Sequence, residues 1–216
     1  MEVVSVNVGL PREVIWKHVR VSTAIFKEPV EGTIPVRKLN LDGDRQADLT
    51  VHGGPDKAVY GYPLEHYDYW RQQLTRTSLP LGAFGENLTT RGLLETDLCI
   101  GDHVRVGTAS LQVAQPRMPC YKLQVRFDRE DMTKLFVLSR RSGFYFSVLE
   151  EGAIKAGDSM EIIKRDDDPM SVAEVNQLYY AKTIDEELVE RALRLRNLTS
   201  ESRSAILSRA AAVRSR

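Results

Sequence analysis

Cysteine is scarce in this sequence, which has only Cys99 and Cys120 among its 216 residues. The two do not form a Cys-x-x-Cys pair, and the histidines at positions 18, 52, 66 and 103 do not follow the spacing of zinc ligands. The sequence also lacks a His-Glu-x-x-His motif, a Walker loop and a Gly-x-Ser-x-Gly turn. These absences argue against a zinc protein, a P-loop nucleotidase and a serine hydrolase.

An excess of charge of either sign is absent too, since Lys and Arg together number 30 and Asp and Glu together number 30. This balance does not favour a nucleic-acid partner or a polybasic membrane anchor. No apolar run approaches the ~20 residues that a membrane helix needs, and the first residues lack the segments of a signal peptide. We therefore expect a cytoplasmic protein without a membrane partner, whose cysteines are reduced thiols and not a Cys99–Cys120 disulfide.

Residues 1 to about 164 have the pattern of β-structure. Period-two alternation between Gly- and Pro-containing turns predicts short strands, as in a sandwich or barrel. The stretch from Leu64 to Leu74 has apolar residues three and four positions apart, which predicts a helix, whereas TKLFVLS fits a short helix or a strand. The segments predicted as strands are VVSVNV, LTTRGLL, HVRVG, ASLQVAQ, KLQVRF, GFYFSVL and SMEIIK.

The composition changes after KRDDDP, where three acids precede Pro169. Because a proline disfavours helix in the residue before it, this segment predicts a domain boundary. Beyond it, SVAE and TIDE have the spacing of capping boxes, and Thr199 or Ser200 opens a third helix. We predict a mainly β domain over residues 1–166 and a small three-helix bundle over 167–216, which leans on the first domain because so small a core is marginal alone.

The stretch PRMPC places Cys120 in an unusual setting. Arg117 would stabilise its thiolate by Coulomb attraction, and Pro116 and Pro119 stiffen the approach and remove backbone donors. A thiolate is also a soft ligand that suits redox-active metals. The alternative is a buried cysteine that packs as a small hydrophobic residue. We assign that alternative to Cys99, which lies in an apolar run, and we expect Cys120 to be functional.

Two loops contain further candidate residues. In HGGPDK, His52 and Lys57 flank a tight turn that two glycines and a proline impose, so both can point into the same space. In FGENL, Gly85 frees the backbone for close approach to a ligand, and Asn87 can donate or accept a hydrogen bond. Each loop could equally be a solvated turn. A nucleophilic pair of Cys120 and His52 also stays open, since such partners meet in space.

Taken together, five stretches of the sequence resemble a MOSC domain, and more narrowly its YiiM-like branch, which has a C-terminal three-helix extension. The resemblance runs in order along nearly the whole chain. HGGPDKAVY and the Pro-Arg-x-Pro-Cys motif are specific, whereas GENL alone is not. The five stretches are GDRQADLTVHGGPDKAVYGYP, GENL, CIGD, PRMPCYKL and SGFYFSVLEEG.

The resemblance implies a MOSC-type β-barrel that binds a molybdenum cofactor (molybdopterin). It implies reduction of N-hydroxylated compounds such as hydroxylaminopurine-type base analogues, with Cys120 as the protein ligand to molybdenum and the catalytic residue. It also implies that Lys27, Lys57 and Arg117 form a basic cradle for an anion, to which the loop residues His52 and Asn87 add cofactor-binding groups.

Two alternatives from other classes remain. The chain contains no flavin or iron–sulfur motif, so a reductase would take electrons from a separate electron-donor protein. Without such a donor the chain could carry sulfur or the cofactor without turnover. It could also be a simple oxyanion-binding protein, in which Lys27, Lys57 and Arg117 bind phosphate or sulfate and Cys120 is dispensable.

Overall fold

The alternation of apolar and polar residues predicts where strands form, and the strand β9, Ala109–Pro116, illustrates why. In this strand the side chains of Ala109, Leu111 and Val113 are buried, while the residues between them are partly exposed, because successive side chains point to opposite faces. The structure is a computed structural model that describes residues 1–48 and 53–215. Its strands are β1 Glu2–Val8, β2 Arg12–Trp16, β3 Val19–Thr23, β4 Glu28–Val30, β5 Ile34–Val36, β6 Val59–Pro63, β7 Leu88–Arg91, β8 His103–Val106, β9 Ala109–Pro116, β10 Phe144–Glu150, β11 Gly152–Ile154 and β12 Met160–Lys164.

Six α-helices accompany these strands in the described residues. The helix predicted between Leu64 and Leu74 is confirmed as α1, and TKLFVLS lies in α3. Within 1–48 and 53–215, no helix is both long and apolar enough to cross a bilayer. The helices are α1 Glu65–Gln73, α2 Lys122–Phe127, α3 Met132–Ser139, α4 Val172–Tyr179, α5 Glu186–Arg194 and α6 Ser200–Arg214, and a short 3-10 turn covers Pro55–Lys57.

Eight strands form one mixed sheet in the order β12-β8-β9-β10-β6-β7-β1-β4. Its pairs are antiparallel except that β6 and β7 run parallel, with Gly61 opposite Leu88. The predicted closed barrel is not confirmed, since β12 and β4 remain edge strands among the described residues. The start of β1 meets the segment before β12 through an isolated bridge between Glu2 and Ser159 and through backbone hydrogen bonds, such as that from the amide of Val3 to the carbonyl of Asp158 over 2.9 Å. On the same edge of β1, β4 pairs with Val6 to Val8. A continuous ladder between β1 and β12 therefore cannot form.

The prediction of a strand for KLQVRF is wrong, because these residues form α2. The error has a clear origin: Leu123, Val125 and Phe127 are buried, an alternation that imitates a strand. A short apolar run does not separate strand from helix by periodicity alone. The amide of Leu123 donates to the carbonyl of Cys120 over 3.1 Å, which starts the helical turn directly after the cysteine.

The three C-terminal helices are where the sequence predicts them, with one incorrect start. The capping box of Ser171 and Glu174 is present at α4, and Thr199 caps α6. The capping box predicted at Thr183 is wrong, because Asp185 caps α5 instead and accepts from the amide of Leu188 over 3.1 Å. An acidic cap is also favoured at the positive end of the helix dipole.

These helices pack on the sheet through one continuous hydrophobic core. Val175, Ala192 and Ile206, one from each helix, are buried in the same cluster as Leu111 and Phe146 of the sheet. This agrees with the expectation that the small bundle leans on the rest of the chain, while the exact boundary between 166 and 167 stays a prediction. Cys99 is buried as expected.

Candidate functional site

A cavity opens between the segment before β4, the turn before β6 and the loop between β9 and α2. One sulfur and a concentration of positive charge distinguish its lining from the rest of this neutral chain. Five basic residues and the cysteine of the PRMPC stretch line it: Lys27, Arg45, Lys57, Arg117, Lys122 and Cys120. Because a concave wall of one charge sign attracts ions of the other, the cavity favours an anionic ligand.

Cys120 lies between the end of β9 and the first turn of α2, and it is partly exposed. Its carbonyl accepts from the amide of Leu123 over 3.1 Å and from the hydroxyl of Thr133, on α3, over 3.4 Å. These bonds hold the backbone of the cysteine in place while its side chain lines the cavity. Among the described residues, no disulfide joins Cys99 and Cys120.

Arg117 is buried beneath the cavity. Its guanidinium donates to the carbonyl of Phe84 and lies 4.6 Å from the ring centroid of Tyr60, as in a cation–π contact. Burial acts to lower the pKa of Arg117, but the attraction to Tyr60, Tyr145 and Cys120 outweighs it and raises the pKa. The guanidinium is therefore a fixed positive charge whose field reaches Cys120.

Lys27 forms a buried ion pair with Asp44. Burial lowers the pKa of Lys27, and the ion pair with Asp44 opposes that shift without cancelling it. Asp44 also accepts from the amide of Gly9 and from the side-chain amide of Asn87, each over 2.9 Å. Lys27 therefore brings less net charge to the cavity than its side chain alone would suggest.

Asn87 lines the cavity, but its side chain is already bonded within the protein. Its nitrogen donates to Asp44 over 2.9 Å, and its oxygen accepts from the amide of Tyr60 over 3.1 Å. Asn87 thus ties the loop before β7 to β6 and to the partner of Lys27. Its predicted role as a direct cofactor ligand stays a prediction, and this geometry favours a positioning role.

Glu86, the neighbour of Asn87, is a buried carboxylate that the sequence did not single out. It accepts from the amides of Gly82 and Phe84 and from the hydroxyl of Thr89, each over 3.0 Å, and also from the hydroxyl of Tyr67. Burial raises the pKa of Glu86, and the hydrogen bond from Tyr67 is the first of several that oppose the shift. These bonds fix the loop in which the carbonyl of Phe84 accepts a hydrogen bond from Arg117.

Gly85 has a backbone φ of 79°, which glycine adopts without strain. A Cβ at this position would lie 2.9 Å from Cγ1 of Ile25, closer than packed carbon atoms approach. The glycine therefore lets the loop pack against the segment that leads to Lys27. Sequence analysis expected a close approach at Gly85, and the structure shows that approach to be toward the protein's own backbone segment.

Lys57 lies at the end of the 3-10 turn, which Asp56 ties to β10 by accepting from Ser147 over 3.2 Å. Its ammonium donates to Glu201 of α6 over 2.9 Å to one carboxylate oxygen and 2.7 Å to the other. The C-terminal helices therefore contribute a side chain at the site. His52, the other residue singled out in this loop, lies outside the described residues.

The structure thus brings together five of the six predicted site residues: Lys27, Lys57, Asn87, Arg117 and Cys120 line one cavity. Their chemical roles stay predictions. Sequence reasoning missed other residues around the cavity, although Asp44, Arg45, Glu86 and Lys122 stand within or beside the stretches that carried the resemblance. No local signal points to Glu201, because only the packing of α6 brings it near Lys57.

Comparison with known proteins defines the class. Residues 48–161 match the MOSC domain family, and residues 170–203 match the YiiM-like, 3-alpha helix domain. The chain belongs to the MOSC family, in the YiiM-like branch with its C-terminal three-helix extension.

Its relatives include YflK of Bacillus subtilis, 39% identical over 96% of this chain and 93% of that protein. YiiM of Escherichia coli is 39% identical over 79% of this chain and 77% of that protein. The crystal structure of YiiM from Geobacillus stearothermophilus is also similar, with a TM-score of 0.80 and 34% identity over 97% of this chain and 98% of that one.

Proposed function

We propose that this protein binds a molybdenum cofactor at Cys120 and reduces N-hydroxylated small molecules with electrons from a separate donor protein. The observation that carries the proposal is the cavity, in which one thiol shares its walls with five basic side chains. Membership of the MOSC family supports it. So does a relative named as a reductase in Gibberella moniliformis, 31% identical over 81% of this chain, although the match spans only 32% of that longer protein.

The residues at the cavity fit such a cofactor. A single thiolate is a soft ligand for a redox-active metal, and because it supplies one ligand, a metal held there brings its others with it. A molybdenum cofactor does so through a dithiolene group, and it also carries a phosphate. Arg117 and Lys57 are suited to that anion, since charged N–H donors form the stronger hydrogen bonds to phosphate oxygens.

Each residue has a distinct role in this proposal. Cys120 holds the metal, and Arg117 keeps positive charge beside the sulfur. Lys27 stays paired with Asp44 at the wall of the cavity. When bound, the cofactor would supply the two-electron redox chemistry of the reaction.

The overall reaction balances with the N–OH compound, two electrons from the donor protein and two protons as its reactants. An N–OH group takes up two electrons and two protons; its N–O bond breaks, an N–H bond forms, and the oxygen leaves as water. The two electrons come from the donor protein, which must carry a redox group such as a flavin or an iron–sulfur cluster. The protons come from solvent through titratable groups that line the cavity.

Reductase activity in the purified protein is the direct test. The protein is produced in a host that makes the cofactor and is then supplied with a reduced viologen dye and a hydroxamic acid. We expect the dye to be oxidised in proportion to the acid consumed, and we expect a pterin to be released on denaturation. Cys120→Ala should lose the dye oxidation, and full activity in that variant would contradict the proposal.

The same preparation separates the alternatives. Stoichiometric pterin without dye oxidation under any donor would indicate a carrier protein. Absence of pterin, with phosphate binding by calorimetry that Cys120→Ala leaves unchanged, would indicate an oxyanion-binding protein. Either result would overturn the reductase proposal.

A further inference from the structure

Tyr145 lies on β10 and lines the cavity together with Cys120 and Arg117. Its neighbours Phe144 and Phe146 are fully buried in the core. Because successive side chains of a strand point to opposite faces, Tyr145 lies on the other face of β10, where its side chain is partly exposed. The strand thus presents one polar aromatic residue to the cavity between two core residues.

A β-bulge next to Tyr145 distinguishes this place in the sheet. The register of β10 against β9 shifts between Tyr145, which lies opposite Gln115, and Phe146, which lies opposite Val113. Bulges are over-represented beside active sites, where they redirect a side chain. The ring of Tyr145 packs against that of Tyr60 on β6, with 5.0 Å between the centroids. The sheet therefore positions the phenol through its backbone and its ring.

The Tyr145 hydroxyl has no hydrogen-bond partner among residues 1–48 and 53–215. The hydroxyl of Tyr60, in contrast, donates to the carbonyl of Ser142 over 2.8 Å. Two ammonium groups in the cavity wall, those of Lys27 and Lys57, are paired with carboxylates. The Tyr145 phenol is thus a proton-bearing group that remains available to a molecule in the cavity.

The reaction proposed above needs an acid at the oxygen that leaves. Hydroxide is a poor leaving group, and a positioned acid accelerates such a step by about 10²–10⁴-fold. A phenol, with an ordinary pKa of about 10, keeps its proton at neutral pH until the reaction takes it. Burial raises the pKa of Tyr145, and the positive charge of Arg117 opposes the rise by attracting the phenolate.

We propose that Tyr145 is the proton donor to the oxygen that leaves the N–OH group. This inference rests on the proposed function, because it supplies one of the two protons of that reaction. The O–H bond of the phenol breaks as an O–H bond forms on the leaving oxygen, and the N–O bond breaks to release water. The two electrons come from the donor protein, the nitrogen takes the second proton from solvent, and the phenolate regains its proton from solvent.

Tyr145→Phe removes the hydroxyl and keeps the ring. In the cofactor-loaded protein, with a hydroxamic acid as substrate, we expect kcat to fall about 100-fold and KM to change less than about threefold. The matched control is Tyr121→Phe, which removes the hydroxyl of an exposed tyrosine next to Cys120 and should keep full activity. Both variants should match the unaltered protein in molybdenum content and unfolding temperature.

The pH dependence of kcat separates a proton donor from a structural residue. Between pH ~6 and pH ~8 the phenol of the unaltered protein stays protonated, whereas in Tyr145→Phe the proton must come from hydronium. We therefore expect the ratio of the two kcat values to rise about tenfold per pH unit. A ratio that is the same at every pH, or equal kcat values, would overturn the proposal.

A spectroscopic test needs neither cofactor nor turnover. The chain is produced with 3-fluorotyrosine, and the fluorine resonances that Tyr145→Phe and Tyr121→Phe lack are assigned to those residues. Inorganic phosphate, an anion that the basic cavity should hold, is then titrated into the cofactor-free protein. We expect the Tyr145 resonance to shift as phosphate binds and the Tyr121 resonance to stay in place.

If calorimetry records phosphate binding and the Tyr145 resonance does not move, the phenol does not face the ligand and the proposal fails. No phosphate binding at all would contradict the basic cavity on which both proposals depend. Turnover separates the remaining failures. If the unaltered, cofactor-loaded protein reduces no hydroxamic acid, the proposed function fails; if it does so and Tyr145→Phe does so equally well, only the role of Tyr145 fails.

Discussion

At the scale of single residues, Glu86 shows that the geometry of a cavity can depend on a side chain that does not contact the ligand. Its carboxylate receives four hydrogen bonds from the protein and thereby fixes the loop whose carbonyl, at Phe84, accepts from Arg117. The position of that guanidinium next to Cys120 follows from this support. A buried acceptor with many donors is costly to alter, because the donors cannot turn to water.

Glu86→Gln should therefore destabilise the protein. The new amide nitrogen cannot accept, so at least one of the four donors loses its partner, and we expect a loss of about 2 kcal/mol in the free energy of unfolding. Urea denaturation measures this loss. Glu187→Gln, the same change on the surface of α5, should fall within about 0.5 kcal/mol of the unaltered protein; equal stability of both variants would show that the four bonds contribute little.

The sequence was informative about site residues where their chemistry was local. Cys120, Arg117 and their prolines stand within a few positions of one another, so their proximity in space follows from the covalent chain. Asp44, the partner of Lys27, and Glu201, the partner of Lys57, are brought in by long-range packing. A single sequence carries no spacing signal for such pairs, and this is why they were missed.

At the scale of elements, α6 is joined to the site through its cap. The Thr199 hydroxyl satisfies the amide of Ser202 and donates to Gln115, which in turn donates to Glu201. The sequence predicts that Thr199 or Ser200 begins this helix, because a Ser or Thr before an apolar-periodic run is a strong local signal, and the structure has Thr199 as the cap. The sequence could not show that the same hydroxyl would also bind a residue of β9.

Thr199→Val should destabilise the protein by about 1–2 kcal/mol, since it removes the cap and one of the two buried hydroxyls that donate to Gln115, at nearly constant side-chain volume. Hydrogen exchange should show faster exchange in the first turn of α6. The control is Thr199→Ser, which keeps the hydroxyl and should lie within about 0.5 kcal/mol of the unaltered protein. If Val and Ser behave alike, the hydroxyl does not hold the helix.

Helix and strand were hardest to tell apart in short segments that have apolar residues at alternate positions. KLQVRF imitates a strand in sequence and forms α2, since the turn after Cys120 closes with helical hydrogen bonds. The strands β1, β9 and β10 were predictable, because each spans seven or eight residues and includes a stretch of period-two alternation. Longer alternation leaves a helix fewer ways to bury the same side chains.

At the scale of the whole molecule, buried phenols couple folding to alkaline pH. Burial raises the pKa of six of the eight tyrosines: Tyr60, Tyr62, Tyr67, Tyr145, Tyr179 and Tyr180. In the folded protein these phenols keep their protons at a pH where the unfolded chain, with an ordinary tyrosine pKa of about 10, releases them. Stability that is present below pH ~10 should therefore be lost as the pH rises above it.

Alkaline titration, followed by the ultraviolet absorbance of phenolate, measures this effect. We expect most of the phenolate signal to appear together with unfolding, as circular dichroism reports it. Both transitions should move to higher pH when a folded-state ligand is added. Ionisation of six or more tyrosines near pH ~10 in a protein that is still folded would contradict the burial of these groups.

Sheet closure is the feature of the whole molecule that the sequence predicted least well. The strands and their order of appearance are visible as separate alternating segments, but closure depends on which edge each strand meets. Here β4 pairs with Val6 to Val8 of β1, so the segment that leads into β12 meets only the first residues of β1. No sequence pattern within β1 indicates which of its residues pair with β4 and which meet the segment before β12.

The account as a whole depends on Cys120 being the residue that holds a metal, and the two cysteines of this chain allow a matched test. Molybdenum per chain is measured by mass spectrometry in protein purified from a cofactor-competent host, for the unaltered chain, Cys120→Ala and Cys99→Ala. We predict that Cys99→Ala retains its molybdenum and that Cys120→Ala contains at least about tenfold less. Equal molybdenum in all three proteins, or none in any, would contradict the account.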